Sequence, residues 1–175
     1  MHAYIIHGYD ANPSDHWFPW LQARLQAAGI STIVPPLPDS EHPDFATWQV
    51  TLTQTIGMPD RNTLLIAHSL GTISLLHYLS ATRPAAVGGL VLVAGFSARL
   101  PELPIIGGFD IDTYIDRARL DDVVLRRYVA QMHHLISDND YVVAPANSHA
   151  LAARLGGTVH ALSRYGHFLS ADGIT

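Results

Sequence analysis

The sequence predicts an α/β fold in which helices cover both faces of a parallel sheet, and three observations predict it. Short runs rich in β-branched and apolar residues recur along the chain; longer stretches with apolar residues three and four apart separate them. The run Thr63 to His68 is apolar on both faces, as a strand buried between two helical layers must be. A chain of 175 residues with 48% hydrophobic content can bury a sizeable core yet is short for two, so a single domain over residues 1–175 is expected.

The first strand is expected over Ala3 to Gly8. Trp17 to Ala28 reads as a helix whose buried face carries Trp17, Trp20, Leu21, Leu25 and Ala28, with Gly29 where a C-cap belongs. Core packing of both tryptophans follows from that spacing. Thr32 to Val34 forms the second strand and stops at Pro35-Pro36-Leu37-Pro38, which cannot continue a ladder. Phe45 to Ile56 is the second helix, Thr63 to His68 the third strand, Thr72 to Leu79 the helix after it, and Gly89 to Val93 the fourth strand. From Ser97 to Asp122 the periodicity fades among Pro101, Pro104, Gly107 and Gly108, which marks an insertion or cap rather than a core element. Val129 to Ile136, His149 to Leu155 and Thr158 to Leu162 complete the pattern as strand, short helix and sixth strand.

Composition removes several function classes. With 14% charged residues and a net charge of -5, the basic footprint of a nucleic-acid binder is missing, so no nucleic-acid partner is expected. The absence of cysteine excludes disulfides, thiolate metal sites and a cysteine nucleophile. No apolar stretch approaches the roughly 18 residues of a membrane span, and Ala3-Tyr4-Ile5-Ile6 lacks the basic flank of a signal peptide, so a cytoplasmic protein without a membrane partner is expected.

Leu64-Leu65-Ile66-Ala67-His68-Ser69-Leu70-Gly71-Thr72 places a serine where a buried strand turns into a helix, with small residues two positions to either side. This is the pattern of a nucleophile elbow. Bulky residues at positions 67 and 71 would clash where strand and helix approach. The plainer alternative is that Ser69 only caps the helix. A serine needs a base, and histidine suits the task. Of eleven histidines, His167 in Ser163-Arg164-Tyr165-Gly166-His167-Phe168 lies on the loop after the last strand, where the Ser, Asp, His chain order of this elbow puts it. His133 and His134 point to opposite faces of a strand. His2, His16, His42, His77, His149 and His160 show no metal-ligand spacing and read as surface or satisfied core residues, so no metal or cofactor is expected. The acid belongs on the loop after the fifth strand, Ser137-Asp138-Asn139-Asp140, where Asp138 and Asp140 both qualify. An oxyanion hole needs the Leu70 N–H and a second one from His7-Gly8-Tyr9-Asp10, expected from Tyr9. His7, Gly8 and His68 are expected to line the substrate side. If strand one lies between strands two and three, these segments meet in the cleft at the carboxyl ends of strands one and three.

His7-Gly8-Tyr9 with His16-Trp17-Phe18-Pro19-Trp20, Ala67-His68-Ser69-Leu70-Gly71, Gly89 to Gly95, Asp140-Tyr141-Val142-Val143 and Gly166-His167-Phe168 resemble the YdeN and retinoblastoma-binding-protein-nine family of small serine hydrolases over nearly the whole chain. The resemblance implies a reduced α/β-hydrolase fold: six parallel strands in the order 2-1-3-4-5-6, little or no lid, and a triad on Ser69, Asp140 and His167. It favours Asp140 over Asp138, although Pro145 comes one position later than the family frame. Family members usually continue past the histidine loop into a final helix, which leaves the cover of one sheet face open here. The implied activity is hydrolysis of a small-molecule acyl substrate, an ester or else a thioester or amide. The competing expectation is a non-catalytic protein-interaction module on the same fold, with Trp17, Phe18 and Trp20 as an exposed anchor. Because Glu102, Asp110, Asp112, Asp116, Arg117 and Arg119 make Ser97 to Asp122 polar, a shallow acyl site that takes short chains is expected.

Overall fold

The computed structural model describes residues 1–174. Strand β1 (His2–Ile6) leads to helix α1 (Phe18–Ala27), β2 (Ser31–Ile33), α2 (Phe45–Ile56), β3 (Thr63–His68), α3 (Leu70–Thr82) and β4 (Gly89–Val93). A hairpin of β5 (Ile105–Ile106) and β6 (Phe109–Asp110) follows, then α4 (Ile111–Arg117), α5 (Asp122–Tyr128), β7 (Met132–Ser137), α6 (Pro145–Leu155) and β8 (Thr158–Leu162). The main sheet has the order β2-β1-β3-β4-β7-β8, every neighbouring pair parallel. This is the expected order, with β7 and β8 as the fifth and sixth strands. It reverses at β1, so a crevice opens beyond the carboxyl ends of β1 and β3. Among the described residues no helix is long and apolar enough to cross a membrane.

Alternation along the strands splits the interior in two. Leu65, Ala67, Leu90 and Leu92 face a large core shared with α2, α3, α4, α5 and α6. Ile66 and Val93 face a smaller core with Trp17 and Phe18. Helix α3 is buried on nearly every side, from Leu70 through Leu76 and from Tyr78 through Ser80, which explains an apolar sequence without an amphipathic stripe.

Three expectations are corrected. Trp20 is 53% exposed, and Ala28 is exposed as well. The helix begins at Phe18, which takes the buried slot, and Pro19 sits in its first turn. The apolar stripe of α1 therefore faces an open groove of about 590 Å³ over β3, β4 and β7, and Arg24 lies 5.7 Å above the Trp20 ring. The fifth strand starts at Met132 rather than Val129, because α5 runs to Tyr128; Val129 makes only an isolated bridge to Val87. The stretch 97–122 does contribute to the core, through Leu100, Ile111, Tyr114 and Ile115. Its apolar residues are spaced for one short helix turn at a time, too briefly to register as periodic.

Gly71 fixes how closely α3 approaches β1: a Cβ there would lie 2.4 Å from the His7 carbonyl oxygen and 2.7 Å from that of Ile6. Because backbone cannot yield as a side chain does, Gly71→Ala is expected to lower stability by about 1–3 kcal/mol. Urea unfolding checks this; an unchanged midpoint would mean that α3 shifts freely.

Candidate active site

Strand β3 runs directly into α3, and Ser69 at the junction has φ 52° and ψ -126°. A non-glycine residue there is strained by about 1–3 kcal/mol and must be held by its surroundings. The Ser69 N–H donates to the Val93 carbonyl at 3.0 Å. Its own carbonyl accepts from the Thr72 N–H at 2.9 Å and from the Thr72 hydroxyl at 2.7 Å. The Ser69 hydroxyl makes no capping bond to the helix. It stands 2.9 Å from Nε2 of His167.

His167 comes from the loop after β8, and its Nδ1 lies 2.9 Å from each oxygen of Asp140. Both side chains are almost wholly buried. Asp140 Oδ1 also accepts the N–H groups of Val142 and Val143, each at 2.9 Å. A carboxylate only accepts, so the proton of neutral His167 sits on Nδ1 and the Nε2 lone pair faces the Ser69 hydroxyl. Asp138, the other candidate, turns away: it accepts from the Ser163 hydroxyl at 2.8 Å and the Arg164 N–H at 2.9 Å. Those hydrogen bonds hold its carboxyl below the usual carboxylate range.

The polar run before Asp140 is a staple as well as a turn. Ser137 Oγ accepts the Tyr165 N–H at 3.1 Å, and Asn139 Oδ1 accepts the Gly166 N–H at 2.9 Å. Beyond His167, Asp172 Oδ2 accepts the N–H groups of His167 and Leu169 at 2.9 and 3.0 Å. Sequence reasoning missed Ser137, Asn139 and Asp172 as supports of the histidine loop. The only signal was an unusual density of Asp and Asn, which equally marks a turn.

Tyr9, Leu70, Ser69 and His167 line one cleft of about 390 Å³. Among the described residues, the backbone N–H groups of Tyr9 and Leu70 have no protein acceptor. A Cβ on Gly8 would lie 3.0 Å from Ser69 Cβ and 3.1 Å from the His68 carbonyl, so glycine lets this loop reach the elbow. Of the expected substrate-lining residues, His68 lines the cleft and His7 does not. His7 is fully buried; its Nε2 accepts the Leu37 N–H and its Nδ1 donates to the Gly8 carbonyl, each at 3.0 Å, so it braces the loop and leaves nothing for a substrate. His68 donates from Nε2 to the His167 carbonyl at 2.8 Å and so supports the histidine loop from below.

The segment 97–122 turns Leu103, Ile106 and Ile111 into the cleft. Glu102, Asp110, Asp116, Arg117 and Arg119 are exposed on its outer side. The expectation that this segment is too polar to line an acyl site is thus corrected: these charged side chains are exposed, and Leu103, Ile106 and Ile111 give the cleft an apolar wall. Among the described residues no group of three or more His, Asp or Glu side chains is arranged to hold a metal ion.

A family profile described as Serine hydrolase matches residues 3–175. The chain is 32% identical over 173 residues to YdeN of Bacillus subtilis (strain 168), covering 98% of this chain and 88% of that one. The crystal structure of the ydeN gene product superposes with a TM-score of 0.91 over 99% of this chain and 91% of that chain. Est1E from Butyrivibrio proteoclasticus, 14% identical, has a TM-score of 0.70 over 96% of this chain and 80% of its own, a likeness of fold.

Two outcomes follow from the geometry. Asp140→Asn keeps the shape but favours the wrong imidazole tautomer, which in a comparable triad costs up to about 10⁴-fold in kcat. Asp138→Asn should stay within a few-fold of wild type; the reverse ranking in ester hydrolysis would move the acid to Asp138. Stability should also depend on mild acid. Burial pushes His7, His68 and His134 below the ordinary value, His68 furthest, with His167 beside it adding to the effect. On acidification through about pH 6.5 the unfolded histidines bind protons that the folded ones do not, so their stability is full above that pH and is lost below it. The urea midpoint should fall between about pH 7.5 and about pH 5.5. A midpoint that holds or rises would contradict the neutral, buried assignment.

Proposed function

The chain belongs to the serine hydrolase family, and from that premise we propose that it cleaves small carboxylic esters through an acyl-enzyme on Ser69, with His167 as base and Asp140 as the acid that orients it. The observation that carries this reading is the unbroken relay from Asp140 to Nδ1 of His167 and from Nε2 to the Ser69 hydroxyl, each step 2.9 Å, at the floor of an open cleft.

In the proposed reaction the Ser69 oxygen attacks the ester carbonyl carbon while His167 Nε2 takes the hydroxyl proton. The carbonyl oxygen becomes an oxyanion against the N–H groups of Leu70 and Tyr9. The bond to the alcohol oxygen then breaks, and that oxygen leaves with the proton from His167. Water enters by the same steps in reverse, releasing the acid and restoring Ser69. A volume of about 390 Å³ lies near the small end of ligand pockets, which supports a small-molecule acyl substrate with a short to medium chain against Leu103, Ile106 and Ile111.

The second reading, an interaction module, draws on one observation, the open apolar groove beside Trp20. The groove and the cleft are lined by different residues, so one experiment separates the readings. A fluorophosphonate probe should label the wild type and not Ser69→Ala, and the variant should lose nearly all hydrolysis of p-nitrophenyl acetate while unfolding at the same temperature. A wild type that neither labels nor turns over leaves the interaction module as the better account.

A further inference from the structure

His16 belongs to the segment that packs against the histidine loop, yet nothing in the triad uses it. It lines the same cleft as Ser69. The Ser170 N–H donates to its Nδ1 at 3.1 Å, and the Ser170 hydroxyl lies 3.4 Å from that nitrogen. A backbone N–H can only donate, so Nδ1 is the acceptor and neutral His16 carries its proton on Nε2. Among the described residues Nε2 has no protein partner, and it is not one of the polar atoms sealed in the interior. Burial holds the imidazole below its ordinary value, so at neutral pH it is an uncharged donor.

The position of this donor relative to the reaction follows from the proton path. His167 must hand its proton to the departing alcohol, so the alcohol half of an ester lies on the His167 side of Ser69. The apolar wall of Leu103, Ile106 and Ile111 is left for the acyl half. His16 is tied to Ser170, three residues past His167, and its ring centre is 6.2 Å from that of His68, whose Nε2–H holds the His167 carbonyl. It therefore stands at the alcohol end. Asp10 lines the cleft too, and its carboxylate disfavours an anionic alcohol.

We propose that His16 determines leaving-group specificity by donating a hydrogen bond from Nε2 to a neutral oxygen of the alcohol, so that esters of hydroxyl-bearing alcohols are preferred over esters of plain alkanols. This rests on the hydrolase reading and extends it to the substrate's alcohol half.

The substitution His16→Asn isolates the donor. Asparagine tolerates the left-handed backbone at this position, φ 52°, and its Oδ1 can still accept the Ser170 N–H. What it lacks is the distal N–H. Glycerol 1-butyrate and n-propyl butyrate share an acyl group and differ in the alcohol. His16→Asn should lose about tenfold in kcat/KM on the glycerol ester, the upper range for one hydrogen bond, and stay within about twofold on the propyl ester. An equal loss on both esters, or no loss on either, overturns the proposal. A measurement on the wild type alone guards against a variant that does not fold: its kcat/KM ratio for the two esters should exceed the ratio of their hydroxide-catalysed rates by about tenfold. A wild-type ratio equal to the hydroxide ratio overturns it too. If neither ester is turned over in a Ser69-dependent way, the hydrolase reading fails first and this inference falls with it.

Discussion

A serine held at φ 52° relaxes unless every route out is closed, and most of the fold's upper half serves to close them. Three backbones converge on Ser69. Strand β4 takes its N–H at Val93, the first turn of α3 takes its carbonyl at Thr72, and the loop after β1 presses on it through Gly8. The approach is possible only because positions 8 and 71 carry no side chain. The strain is offset by α3 itself, where Ile73, Leu75, Leu76 and Leu79 are almost wholly buried. Each such side chain contributes about 1.5–3 kcal/mol on burial, against about 1–3 kcal/mol of strain at one residue. The helix anchors the elbow; the elbow does not distort the helix.

The same economy governs the distance between Ser69 and His167, which are 98 residues apart in sequence. A loop as free as 163–168 would not hold an imidazole to a few tenths of an ångström by one hydrogen bond. It is stapled instead by consecutive residues of one neighbour. Ser137, Asp138, Asn139 and Asp140 each accept a hydrogen bond from it, from Tyr165, from Ser163 and Arg164, from Gly166 and from His167 in turn. The outermost of these bonds are exposed and individually weak, whereas the Asp140 bond is buried and strong, so the staple tightens toward the reacting end.

How far the sequence disclosed this depended on whether a residue's role is local. The strand order, the elbow and the placement of His167 were legible because hydrophobic period, small residues and chain order are local or topological signals. Asp138 and Asp140 cannot be told apart from the residues alone, since both are turn formers and both meet the same loop; the difference is that Asp140 reaches the imidazole of His167, 27 positions on, whereas Asp138 meets Ser163 and Arg164. Trp20 was misread because spacing identifies an apolar face without saying what that face meets, and here it meets a groove. Motif position alone puts both His7 and His68 beside the substrate, yet only His68 lines the cleft. Their partners, the Leu37 N–H and the His167 carbonyl, are tertiary contacts that no motif encodes.

Four histidines crowd this end of the sheet, and their roles divide by which nitrogen each has already spent. His7 has spent both. His68 donates a hydrogen bond from Nε2 to the His167 carbonyl, His16 accepts one from the Ser170 N–H at Nδ1, and His167 commits Nδ1 to Asp140. Of the four, His167 turns its Nε2 to the Ser69 hydroxyl, and His16, which lines the cleft, keeps an Nε2 without a protein partner among the described residues. The neutrality of the others has a consequence for the proposed chemistry. In that reaction His167 becomes a cation for an instant, and a second imidazolium beside it would oppose that charge. Burial prevents this by holding His16 and His68 in the uncharged form, His68 most strongly. The positive charge that develops on His167 thus meets one buried counter-charge, Asp140, and no competing cation among its neighbouring histidines. Packing rings around a base is a way to keep the base available, provided the rings are too dry to ionise.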